Sequence, residues 1–419
     1  MIGNSSWYKA KIIIFITYII SAIIFEQIYR KPLFEKSLEI ESNLYSNTPE
    51  YFIKMFKLIS KFGTQGALIP LLIIVLIFFP INISYTFASV IVLASYYDNI
   101  LKILYGSPRP FWINPKIKRT CDGGYGNPSG HSFSSFSIYL SLWNIIIDLP
   151  YFNKKFIMKI ILLIFTILFS FFISISRIFL SIHSLNQILY GGVLGVGMYF
   201  YFFHIICLNA YSGKKFYQYI TGKLENRIHT IKFLIYFLIL LSLYLFRNNN
   251  WKQYEYIIAE ECSHLPLYRK FNHDGFFIGC VLFLLIGAHY GLYFFLSKSK
   301  RNRPFKEEQI NKWSNNYKIK NVIYRTLIFF PHAIPMILFL LVPNNTSLII
   351  LFPVKVIIPY LLTGYCFFGI YIDICIKLKI AYEKIYIIYR IGSEENYNVN
   401  SEEVTVEVKI RDSNYVSGK

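Results

Sequence analysis

Residues 156–187 read FIMKIILLIFTILFSFFISISRIFLSIHSLNQ, and this stretch decides the fold. From Phe156 to Ser176 it carries a single charge, Lys159, and as a helix it is long enough to cross a hydrocarbon core, which needs roughly 20 apolar residues. Arg177, His183 and Gln187 follow at once, where such a helix must leave the bilayer.

Working outward, further apolar runs lie at about 10–29, 66–80, 84–104, 132–149, 187–208, 230–246, 275–297, 322–342 and 348–376. With 55% hydrophobic and 19% aromatic residues and a mean hydropathy of +0.43, a soluble 419-residue chain is excluded. The expected fold is all-α, a polytopic transmembrane helical bundle of about nine to ten spans. Residues 1–62 are read as an N-terminal span and an amphipathic segment, and 63–208 as a catalytic membrane core. Additional transmembrane helices occupy 209–390, and a polar cytoplasmic tail 391–419. Lys9 and Lys11 before the first run also suit a signal sequence, but no small-residue cleavage site precedes Arg30.

A net charge of +20 would suggest nucleic acid in a soluble protein, yet the Lys and Arg residues sit mainly between apolar runs. Membrane topology explains them, so the expected partner is the bilayer and not nucleic acid. Lys154, Lys155, Lys214, Lys215 and the basic loop from Lys298 to Lys320 fall on one face, which the positive-inside rule makes cytoplasmic. On the other face Glu35, Asp122, Glu255 and Glu260 dilute the basic residues. Cys121 and Cys262 are the two cysteines on that second face, where they could form a disulfide or remain thiols. No His/Cys cluster has metal-ligand spacing, and no metal or other cofactor is expected.

Three segments place basic or titratable residues at helix ends on this non-cytoplasmic face: KILYGSPRP (102–110), PSGH (128–131) and SRIFLSIHSLNQ (176–187). Lys102, Arg109 and Arg177 are three cations able to converge on one anion, and guanidinium forks match phosphate oxygens. The Ser129 and Gly130 amides open an apolar helix and can point at an anion there. His131 and His183 can divide the work of nucleophile and general acid. Taken singly, each cation reads as a snorkelling side chain and Pro-Ser-Gly as an ordinary turn capped by Ser129. Their joint occurrence beside two histidines favours a phosphate site.

Together the segments fit the patterns KxxxxxxRP, PSGH and SRxxxxxHxxxD, the last except at Gln187, and so resemble the type-2 phosphatidic acid phosphatase superfamily, which includes glucose-6-phosphatase. The resemblance implies hydrolysis of phosphomonoesters with His183 as the nucleophile that becomes a phosphohistidine and His131 as the acid. Lys102, Arg109, Ser129, Gly130 and Arg177 then hold the phosphoryl oxygens. Gln187 stands where most of the superfamily has Asp. Glucose-6-phosphatases also carry Gln there, and TCDGGYGNPSGH (120–131) resembles their TCxxGxGxPSGH stretch. This likeness implies a sugar phosphate substrate and an endoplasmic reticulum or other endomembrane location with a lumenal site. A lipid phosphate is the alternative substrate, and an anion-binding or transport protein the alternative class.

Overall fold

The computed structural model describes residues 5–79, 81–152, 155–206, 216, 219–246, 254, 260, 262, 272–302, 319–335, 352–378 and 380. All of these belong to one compact unit, Met1–Ile387. The polar tail at 391–419 and most of the basic loop, 303–318, lie outside the described residues.

Among the described residues the elements are helical: α1 (Ser5–Asn47), α2 (Glu50–Lys61), α3 (Gln65–Phe78), α4 (Ile81–Tyr105), the single turn α5 (Pro110–Ile113), α6 (Gly130–Ile147), α7 (Phe156–Phe179) and α8 (Leu185–Phe200). The second half contributes α9 (Lys223–Leu245), α10 (Asn272–Gly279), α11 (Leu282–Asn302), α12 (Ile319–His332), α13 (Ile358–Tyr365) and α14 (Tyr371–Lys377). Six segments are long and apolar enough to cross a membrane: Lys9–Asn47, Ile81–Ile113, Phe156–Phe179, Lys223–Leu245, Gly275–Ser297 and Phe352–Cys375, with Ala67–Phe78 a shorter apolar helix. By length and composition the expected nine to ten are therefore not all met. Gly130–Ile147 and Leu185–Phe200 are short or serine- and glycine-rich for that measure, because they line the site and pack inside the bundle.

The first helix departs most from its expected bounds. α1 does not stop near residue 29 but continues through the charged stretch to Asn47. The i,i+4 pair Glu26–Arg30 and the i,i+3 pair Lys36–Glu39 support the helix beyond the apolar run.

Packing of the core around α6 shows how the membrane inverts the usual pattern. α7 turns Ile157, Phe165 and Phe172 outward, while Ser170 and Ser174 are buried. Ser170 Oγ donates to the Ser135 carbonyl of α6 at 3.2 Å, so small polar residues make the helix contact and apolar ones face lipid. α8 closes on α6 through the Gly191 and Gly195 pair. A Cβ at Gly191 would come within 2.6 Å of the Ser129 carbonyl oxygen, and one at Gly195 within 2.6 Å of that of Phe133. This close approach seats the loop that carries His183 beside the N-terminus of α6.

Candidate active site

Each functional side chain sits at a helix end. Lys102 lies in the last turn of α4, a loop from 106 leads to Arg109 before α5, α6 begins at Gly130 and His131, Arg177 lies in the last turn of α7, and His183 lies in the turn before α8. Ser181 in that turn has left-handed backbone (φ 55), which lets the chain reverse within a few residues.

His183 is 1% exposed, and its orientation is fixed from both sides. Nδ1 lies 2.9 Å from the Gly126 carbonyl oxygen and 3.1 Å from Gln187 Oε1. Two acceptors make Nδ1 the protonated nitrogen and leave a lone pair on Nε2. Arg109 Nη1 stands 3.2 Å from that Nε2 and donates to it. Gln187 is itself held: its Oε1 also accepts from the Ser184 amide at 3.3 Å, and its Nε2 donates to the Pro108 carbonyl at 2.8 Å. The amide thus does the orienting work of the usual Asp without its charge. Burial, and then the charge of Arg109, pushes the His183 pKa well below the ordinary histidine value, so the ring is neutral at pH 7.

Arg109 is 2% exposed and locked by the loop before α6. Its Nε donates to the Gly124 carbonyl at 2.9 Å and its Nη2 to that of Gly123 at 2.6 Å. Arg177 donates from Nη1 to Ser60 Oγ of α2 at 2.6 Å and from Nη2 to Asp122 Oδ2 at 2.8 Å. Lys102 pairs with Asp98 at 2.9 Å, the i,i+4 contact their spacing suggests. A Cβ on Gly130 would lie 2.6 Å from Asp98 Oδ2 and 2.9 Å from the Lys102 ammonium, so a side chain there would displace that ion pair.

The Ser129 amide does not face an anion as expected: it donates to the Gln187 carbonyl at 3.0 Å, tying the PSGH turn to α8. Its side chain is the available donor instead. Ser129 Oγ, His131 Nε2 and Arg177 Nε are buried and have no hydrogen-bond partner among the described residues. Buried polar atoms left in this state are costly, and a tetrahedral oxyanion would satisfy all three chemistries.

Two neighbours were not singled out by the sequence. Ser60 buttresses Arg177 from α2. Asp122 Oδ2 lies between the two guanidiniums, 2.8 Å from Arg177 and 3.4 Å from Arg109. Loss of water would raise its pKa, but Arg109 and Arg177, with His131 and Lys102, bring it down to about 2. Its carboxylate therefore stays ionised between the two guanidiniums. The adjacent Cys121 is disulfide-bonded to Cys262 with Cα atoms 5.8 Å apart, and the bridge packs with Phe111, Trp112, Tyr125 and Tyr254. This fastens the Asp122 loop over the site. Among the described residues no group of three or more His, Cys, Asp or Glu side chains is placed to hold a metal ion.

The chain is 31% identical over 122 residues to Dolichyldiphosphatase of Saccharomyces cerevisiae, a match covering 26% of this chain and 47% of that protein. It thus spans about half the length of the curated relative it matches. Among solved structures it is similar to the first transmembrane PAP2 type phosphatidylglycerolphosphate phosphatase from Bacillus subtilis, at 17% identity and a TM-score of 0.40, covering 45% of this chain and 93% of that one. The family model of the PAP2 superfamily matches residues 83–211. Lys102, Arg109, Ser129, Gly130, His131, Arg177, His183 and Gln187 all fall within that match.

Proposed function

We propose that this chain is an integral membrane phosphatase that transfers a phosphoryl group to His183 and then to water, without a metal. The observation that carries the reading is the aim of His183: Nδ1 is held by Gly126 and Gln187, and the Nε2 lone pair faces Arg109. In the first step Nε2 attacks phosphorus, the phosphorus–oxygen ester bond breaks, and the departing oxygen takes its electron pair and a proton from His131. In the second step a water, deprotonated by His131, attacks the phosphohistidine and returns the electron pair to Nε2. Arg109, Arg177 and Lys102 neutralise charge on the three equatorial oxygens, with Ser129 Oγ and the Gly130 amide as further donors.

For the substrate, likeness to a Dolichyldiphosphatase supports a lipid phosphate or diphosphate reached from the bilayer. A second reading, a sugar phosphate such as glucose 6-phosphate, draws on the Gln187 contact to His183 in place of an Asp. Phosphate release from the purified full chain decides between them when phosphatidic acid, a polyprenyl diphosphate and glucose 6-phosphate are offered in parallel, with and without EDTA. Release from the lipids that EDTA leaves unchanged is expected. Release from glucose 6-phosphate alone would select the second reading, and EDTA inhibition reversed by one particular metal would refute metal independence.

The shorter apolar helices are read as crossing with the six long ones, which gives nine to ten spans and places the site on the lumenal or external face of an endomembrane. The charge bias supports this orientation. In sealed vesicles, Asn114→Cys should be shielded from a thiol reagent added on the cytoplasmic side, whereas Asn311→Cys should react. The opposite labelling pattern would invert the topology.

A further inference from the structure

We infer that Glu26 of α1 is a positioning residue for the loop carrying His131, acting through Asn127; this rests on the hydrolytic reading above. Glu26 lies in the apolar part of α1 yet is 0% exposed, and an ionised group at membrane depth persists only where it is paired or used. Arg30 answers its charge, with Nε 2.6 Å from Oε1 and Nη2 2.5 Å from Oε2. The same guanidinium lies 4.6 Å over the Tyr105 ring at the end of α4, which anchors the pair to the helix bearing Lys102.

Gln27 Nε2 next door on α1 donates to Oε2 at 3.3 Å, and a second bond reaches the pair from outside the helix. Asn127 Nδ2 donates to Glu26 Oε1 at 2.8 Å, and Asn127 is 0% exposed. Asn127 immediately precedes Pro128, Ser129, Gly130 and His131, and follows Gly126, whose carbonyl holds His183 Nδ1. The Asn127 side chain is thus the peg between the two histidine-bearing elements. Farther along α1, Ser37 Oγ accepts the Leu185 amide at 2.9 Å and donates to the buried Glu41 at 3.0 Å. Leu185 lies two residues after His183. One continuous helix therefore grips the loop of each histidine, and Glu26 supplies the grip on the acid side.

If Glu26 and Arg30 served only to satisfy each other inside the bundle, removing the Asn127 bond would lower stability and leave the chemistry of the folded fraction alone. A positioning role predicts a different split, since misplacing a reacting group by about 1 Å costs on the order of 100-fold. The test uses the full chain in detergent, with orthovanadate as the probe of transition-state geometry and inorganic phosphate as the probe of ground-state binding. Asn127→Ala, which leaves Glu26 and Arg30 paired, should weaken vanadate binding and lower kcat about 30- to 100-fold, with phosphate affinity and KM within about threefold. Glu26→Ala should match it. Glu26→Gln keeps an acceptor oxygen for Asn127 and should restore both quantities to within about threefold of wild type.

Unchanged vanadate affinity in Asn127→Ala would overturn the inference, as would a Glu26→Gln protein as impaired as Glu26→Ala. If Glu26→Ala does not fold, Asn127→Ala against wild type still decides. Should no ester release phosphate while the vanadate pattern holds, the hydrolytic reading fails and the positioning role stands.

Discussion

Replacing His183 with Ala is expected to reduce turnover by about 10⁴-fold or more and to remove the acid-labile phosphoenzyme that a rapid quench with labelled substrate would otherwise trap. The expectation follows from the two hydrogen bonds at Nδ1, which leave Nε2 as the one lone pair directed at Arg109. His131 has a different task. In the proposed mechanism it delivers a proton, although burial and Arg177 lower its pKa too, so His131→Ala should slow esters of poor alcohol leaving groups by about 100-fold while sparing an aryl phosphate, whose leaving group needs little protonation. Burial and the neighbouring cations hold the His183 pKa down, so the nucleophile stays neutral as pH falls through the usual histidine range. The acidic limb of kcat/KM attributable to this ring should accordingly lie below pH 6.5, the unperturbed histidine value. A phosphoenzyme that survives in His183→Ala would move the nucleophile elsewhere and end this mechanism.

The membrane class was legible because hydropathy is a sum over many residues, and no single misplaced boundary alters it. The candidate site residues were legible because they cluster in three short segments at helix ends, and the fold brings those ends together. What composition could not give was the partner of each charge. Asp122 reads in the chain as one acid among several diluting a basic loop, and only the fold sets it between Arg109 and Arg177. Glu26 left a usable signal, an acid four residues before Arg30 and inside an apolar run, but hydropathy ends a span where charge begins and a helix need not end there. The Ser129 amide misled for a related reason. A helix N-terminus offers free amides in general, while the Gln187 carbonyl that takes this one arrives from a helix more than fifty residues away in sequence.

Arg109→Lys and Asp122→Asn are expected to act in opposite directions on the same anion position. The Arg109 guanidinium spans Gly124, Gly123 and His183 Nε2 at 2.9, 2.6 and 3.2 Å, a fork that a single ammonium cannot reproduce. Its loss both frees the loop before α6 and removes a donor aimed at the phosphoryl group, so kcat/KM should fall by about 10²- to 10³-fold. In the proposed site the Asp122 carboxylate, with its pKa held down to about 2, would compete with substrate for the two guanidiniums. Neutralising it should strengthen inhibition by inorganic phosphate about tenfold, equivalent to about 1.4 kcal/mol and close to the lower end for one charge-assisted hydrogen bond. KM should fall with it, and kcat should fall too because product leaves more slowly from a site with no internal anion to displace it. Phosphate inhibition and single-turnover rates measured on both variants separate these effects. If Asp122→Asn binds phosphate no more tightly than wild type, the carboxylate does not occupy the substrate's place, and its contact with Arg109 and Arg177 serves only to hold the disulfide-bonded loop.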